Sequence, residues 1–130
     1  MYKRQSTYIP LTPARLLDTR PTGATVDDQF EAQGIRAAGT TLVLTVNGRG
    51  NVPAGSSTVL LNVAAVGAVG AGFVTVFTCD TTRPNSSTAN LLAGGAVNNH
   101  AVVTTSAVGT VCLYVSNGTH LIVDVEGVLP

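Results

Sequence analysis

The sequence predicts an all-β chain folded as a single antiparallel β-sandwich, jelly-roll-like, with about eight or nine strands. Composition, turn spacing and residue alternation support this. Val, Ala, Leu, Thr and Gly dominate, whereas Lys occurs once, Met once and Glu twice, so the chain lacks what helices favour and is rich in what strands favour. Turn signals recur at intervals of roughly ten residues. Between them several runs alternate apolar and polar residues with a period of two.

Taken in order, Ser6 to Ile9 is extended and stops at Pro10, and Arg15 to Thr19 is a short strand closed by Arg20-Pro21-Thr22-Gly23. Phe30 to Arg36 is a weak strand with a bulge at Gly34. Thr41 to Val46 alternates with Leu42, Leu44 and Val46 on one face, and Asn47-Gly48-Arg49-Gly50 turns the chain. Val59 to Val66 is nearly all apolar, which predicts a central strand covered on both faces. A Gly/Ala loop at Gly67 to Gly72 leads into Phe73 to Cys79, and Thr81 to Ser87 is a surface loop. Ala89 to Leu92, Val97 to Thr105 and Thr110 to Ser116 follow, the last with Val111, Leu113 and Val115 inward. Asn117-Gly118 makes a tight turn into His120 to Val125.

At 130 residues the chain matches one domain, and no internal repeat or linker divides it. Residues 6–130 form the expected module. Met1-Tyr2-Lys3-Arg4-Gln5 corresponds to a GTG start followed by TAT AAG AGA CAG, the end of a transposon adapter used in sequencing libraries. These five residues are therefore expected to be a non-native tail, and the absence of a signal peptide then says nothing about export. Seven basic and seven acidic residues cancel, giving no field to gather nucleic acid or an anionic membrane. No apolar run reaches the ~18 residues of a membrane span.

Several segments form a set: Pro10-Leu11-Thr12-Pro13-Ala14-Arg15-Leu16-Leu17-Asp18-Thr19-Arg20, Val52-Pro53-Ala54, Leu61-Asn62-Val63 and Gly72-Phe73-Val74-Thr75-Val76 ending in Cys79. Thr88-Ala89-Asn90-Leu91, the Asn98-Asn99 strand and Val123-Asp124-Val125-Glu126-Gly127 complete it. Together they resemble a module of secreted proteins from actinobacteria and other environmental bacteria. The resemblance runs from Tyr8 to Gly127 and implies a β-sandwich found singly or in tandem beside cell-wall hydrolases and peptidases, with no established activity. Where that module ends Asn-Gly-Tyr-Phe, this chain has Glu126-Gly127-Val128-Leu129, and Phe77 stands where a Trp is usual.

Two constellations could carry chemistry. Cys79 and Cys112 are the only cysteines, and in a secreted domain they read as a disulfide. Two buried free thiols are an alternative, and half a zinc site a third, although no Cys-x-x-Cys spacing is present. Arg15, Asp18, Arg20, Asn62 and Asp124 form a polar set among apolar neighbours, expected to be a buried lock that fixes strand register. Alternation places Leu16, Asp18 and Arg20 on one face, and Arg15, Leu17 and Thr19 on the other. The functional alternative is a carboxylate pair, Asp18 with Asp124, for glycoside hydrolysis or calcium binding.

His100 and His120 are lone histidines without a Gly-x-Ser-x-Gly elbow nearby, and the glycine pairs lack the helix and Lys of a phosphate loop. No catalytic, metal or cofactor-binding residue is therefore expected. Tyr8, Tyr114, Phe73 and Phe77 are the candidate ligand contacts.

The expected function is a non-catalytic, secreted or cell-surface module that binds wall polysaccharide or a surface protein. A self-associating stalk unit, pairing with copies or tandem neighbours through weakly charged edges such as Thr41 to Val46, is the main alternative.

Overall fold

The computed structural model describes residues 7–129, so the expectation for residues 1–5 lies outside the described residues. Eight strands form two four-stranded antiparallel sheets: β1 (Ile9–Asp18), β2 (Thr40–Thr45), β3 (Thr58–Val66), β4 (Gly72–Phe77), β5 (Ala89–Leu91), β6 (Ala96–Thr104), β7 (Thr110–Val115) and β8 (His120–Leu129). One sheet runs β1-β8-β3-β6 and the other β2-β7-β4-β5. This is the strand order of a jelly roll, in which each sheet draws alternately from the two halves of the chain.

The core lies between the sheets. Val59, Leu61 and Val63 of β3, Leu121, Val123 and Val125 of β8, and Leu42 and Leu44 of β2 meet Val111, Leu113 and Val115 of β7 there. The period-two alternation in Thr41 to Val46 and Thr110 to Ser116 is what turns these side chains to one side.

Five expectations are corrected. β3 is not covered on both faces: its outer residues Leu60, Asn62, Ala64 and Val66 stay half-exposed, because in an antiparallel sandwich only one face of each sheet is packed. The chain does not stop at Pro10: β1 runs as one strand from Ile9 to Asp18, with Thr7 and Tyr8 outside it, and carries Pro10 and Pro13 because it lies at a sheet edge. A register shift between Arg15 and Leu17 breaks the expected alternation there, so Leu16 and Leu17 are both buried.

Phe30 to Arg36 is not a strand. Phe30, Ala32 and Gly34 all have positive φ, and only isolated bridges, at Glu31 and Arg36, tie the segment to Asp18 and Thr119. The last strand continues past Val125 to Leu129, where it pairs with the start of β3.

Candidate functional site

The outer face of the β1-β8-β3-β6 sheet is the place where polar residues converge. Register sets three rows across it. Pro10, Gly127, Leu60 and Val102 form an apolar row; Arg15, Asp124, Asn62 and His100 form a polar row; Asp18, Ile122, Ala64 and Asn98 form the third.

The β1 end of this face is an ion-pair chain. Arg20 clamps Asp18 with Nε 2.9 Å from Oδ1 and Nη2 2.8 Å from Oδ2, while its own backbone N–H donates to Oδ1 at 3.2 Å. Arg15 reaches Asp18 Oδ2 at 3.4 Å and binds Asp124 with Nε–Oδ1 at 2.8 Å and Nη2–Oδ2 at 3.3 Å. Planar guanidinium forks match carboxylates in this way. The Arg20 hydrogen bonds hold the Asp18 carboxyl below its ordinary range against the opposing effect of burial, and the bond to Asp124 raises Arg15. Gly23 is needed beside this cluster, because any side chain there would collide with the carbonyl and carboxylate of Asp18.

Of the five residues in the expected lock, four form this chain, but only Asp18, 1% exposed, is buried. Arg15, Arg20 and Asp124 stay partly open to solvent because no element among the described residues covers the face. Asn62 stands next to Asp124 in register yet lies on the outer face, where its Oδ1 accepts from Asn98 Nδ2 at 3.0 Å. Beyond it His100 Nε2 lies 2.9 Å from Glu126 Oε1. The charges alternate along the face, and the β6 end offers neutral amides and an imidazole.

Tyr8 flanks these rows. Its ring lies over Gly127, where a Cβ would strike it, and its hydroxyl donates to the Glu126 carbonyl at 3.3 Å. With Leu60, Val102 and Leu129 it lines a groove of about 220 Å³. The other candidate aromatics sit elsewhere. Phe73 and Tyr114, with ring centroids 5.9 Å apart, occupy the opposite outer face with Phe77, and Arg83 stacks 3.8 Å over Tyr114. The four aromatics do not make one platform.

That second face is closed by the segment 78–88. Cys79 is joined to Cys112 of β7, Thr75 Oγ1 donates to the Ser86 carbonyl, and Val76 N–H donates to Thr88 Oγ1 at 2.9 Å. Among the described residues no cluster of three or more His, Cys, Asp or Glu side chains is placed to hold a metal.

Arg49 escapes sequence reasoning altogether. It sits in a Gly-flanked turn that reads as exposed, yet it is buried. It pairs with Asp27 (Nε–Oδ2 2.7 Å) and donates to the carbonyls of Leu16 (2.9 Å) and Thr45 (2.8 Å), one in each sheet. Its hydrogen bonds lower the Asp27 carboxyl to about 2. Asn98 and Glu126 are not marked by any site motif either; outward alternation on β6 and β8 is the signal that points to them.

No protein-family model matches this chain, and no curated protein matches it in sequence, so geometry carries the functional argument.

Proposed function

We propose that this small all-β domain is a non-catalytic extracellular module, of the secreted bacterial type its sequence resembles, that attaches to a neutral wall or surface polysaccharide through the open face of the β1-β8-β3-β6 sheet. The observation that carries this is the half-exposed row Arg15, Asp124, Asn62 and His100, flanked by Asn98, Glu126 and the Tyr8 ring. Amides, carboxylates and guanidinium groups hydrogen-bond hydroxyl pairs, and an aromatic edge stacks on the apolar face of a sugar ring.

The alternation of charge disfavours a polyanion. A glycosidase needs one carboxyl held protonated near neutrality; here Asp18 is buried and shifted the other way by Arg20, which supports a positioning role. The Cys79–Cys112 bridge fits an oxidising compartment.

The test is retention of the purified protein on insoluble wall preparations and neutral polysaccharides. Wild-type protein should be retained by at least one of them. Asn62→Thr with His100→Thr, and separately Tyr8→Ala, should weaken retention about tenfold, the loss expected from one or two hydrogen bonds or a stacking contact. Failure of every glycan to retain the wild type, or equal retention of the variants, would overturn the reading.

A further inference from the structure

The four sheet edges are not treated alike. The β1 edge carries Pro10, Pro13 and two register shifts, and the following segment covers it: Val26 N–H donates to the Arg15 carbonyl at 2.9 Å, and Ala32 N–H to that of Asp18 at 2.8 Å. β5 is three residues long. β6 is flanked by β5 and the 78–88 segment, with Thr78 Oγ1 donating to the Thr104 carbonyl at 2.8 Å. These are the devices by which sheet proteins prevent edge-to-edge pairing. β2 has none of them. It is six residues long, without Pro, bulge or charge, and Val43 is 53% exposed.

Two further properties of β2 coincide. Thr41-Leu42-Val43-Leu44-Thr45 reads the same in both directions. Val46 N–H donates to the Gly109 carbonyl at 3.0 Å, in register with the β2–β7 ladder, so the even residues bond β7 and the odd ones point their backbone groups to the free edge. Among the described residues only the Thr45 carbonyl is partnered there, by Arg49 at 2.8 Å, and a carbonyl has a second lone pair.

We infer that β2 is the seam of a two-fold homodimer, in which it pairs antiparallel with β2 of a second copy about Val43. That register sets Val43 against Val43, Thr41 against Thr45 and Leu42 against Leu44. Every opposed pair with edge-facing backbone groups is then a hydrogen-bonded pair, and each inward Leu continues the neighbour's core face. Of the registers with this backbone parity, only this one opposes every residue of Thr41 to Thr45 with its own kind. The result is one eight-stranded sheet across two sandwiches, with no like charges opposed at the seam. An interface of this length buries less than the ~1,200–2,000 Å² of a stable complex, so the dimer is weak and concentration-dependent.

Sedimentation equilibrium of the intact chain over a wide concentration range tests this. The wild type should pass from monomer to dimer and no further. Val43→Pro, tolerated at an edge position whose N–H faces outward, should weaken dimerisation about tenfold or more. Val43→Lys and Val43→Glu should each be monomeric alone and associate when mixed, which separates loss of pairing from loss of folding. A wild type that stays monomeric throughout, or a Lys variant that dimerises as well as the wild type, would overturn the inference.

Discussion

Thr75 and Asn62 both point away from the core, one from each sheet, yet Thr75 is 1% exposed and Asn62 is half-open to solvent. Thr75 lies beneath the 78–88 segment, which the Cys79–Cys112 bridge anchors and in which Arg83 covers Tyr114. Asn62 lies on a face where, among the described residues, the polar side chains pair mainly with one another. Polar residues on the covered face serve mainly to seat a loop. On the open face they satisfy one another along the sheet while leaving hydrogen-bonding atoms free at the β6 end. One face is covered and its polar groups are used internally; the other is open among the described residues, which is what the proposed recognition role requires.

Arg49 joins the two halves and should show the largest effect. Its guanidinium ties β1 to β2 through the carbonyls of Leu16 and Thr45, and it holds Asp27 beside a segment with positive φ at Asp28, Phe30 and Ala32. Arg49→Met fills the volume but leaves those carbonyls without a donor, and should destabilise by about 3–5 kcal/mol in urea unfolding. A loss below about 1 kcal/mol would mean that water replaces the guanidinium and the sheets need no such tie.

The bridge comes next. It closes a loop with a sequence separation of 33, and Cys79→Ser with Cys112→Ser should lower stability by about 2–4 kcal/mol. Limited proteolysis of the double variant should cut first between residues 80 and 87. If glycan retention fell in parallel, the two faces would be coupled rather than independent.

The ion-pair chain on the open face should matter less. Asp18→Asn keeps the shape and removes the charge that Arg20 and Arg15 grip, a loss of about 1.5–3 kcal/mol. Because the folded carboxyls of Asp18 and Asp27 lie below their unfolded values, their stabilisation is complete above the unfolded carboxyl range. It is lost as pH falls through the folded values. Unfolding midpoints should therefore be flat above about pH 5 and fall between about pH 4 and 2, less steeply in Asp18→Asn. A midpoint that began to fall near pH 6 would point to histidine instead.

What the sequence discloses follows from the range of each interaction. Alternation is local, so the inward faces of β2 and β7 can be read from a few residues. An Asp between apolar neighbours needs a partner, and Arg15 and Arg20 stand three and two residues away; the structure puts both on its carboxylate. The β1 bulge cannot be read, because it arises from pairing with a strand more than a hundred residues later. Shorter but still non-local separations hide the Asn62–Asn98 and His100–Glu126 contacts, which form only once β3, β6 and β8 lie side by side. Arg49 is hidden for another reason: Asn-Gly-Arg-Gly is turn chemistry, and nothing local says that the turn folds back between the sheets.

The smallest expected effect separates recognition from stability most cleanly. Asn62 and His100 each hold one side-chain contact on the open face, to Asn98 and Glu126, and His100 is 56% exposed. Exposed ion pairs and single surface hydrogen bonds contribute little, because water replaces the lost partner. Thr is favoured in strands, so Asn62→Thr with His100→Thr removes the amide and the imidazole without weakening β3 or β6. The double variant should unfold within about 0.5 kcal/mol of the wild type. A loss of 2 kcal/mol or more would place these residues with Asp18 in a stabilising network spanning all four strands. The open face would then be a structural seam like its counterpart, and the case for a binding surface would shrink to Tyr8 and its groove.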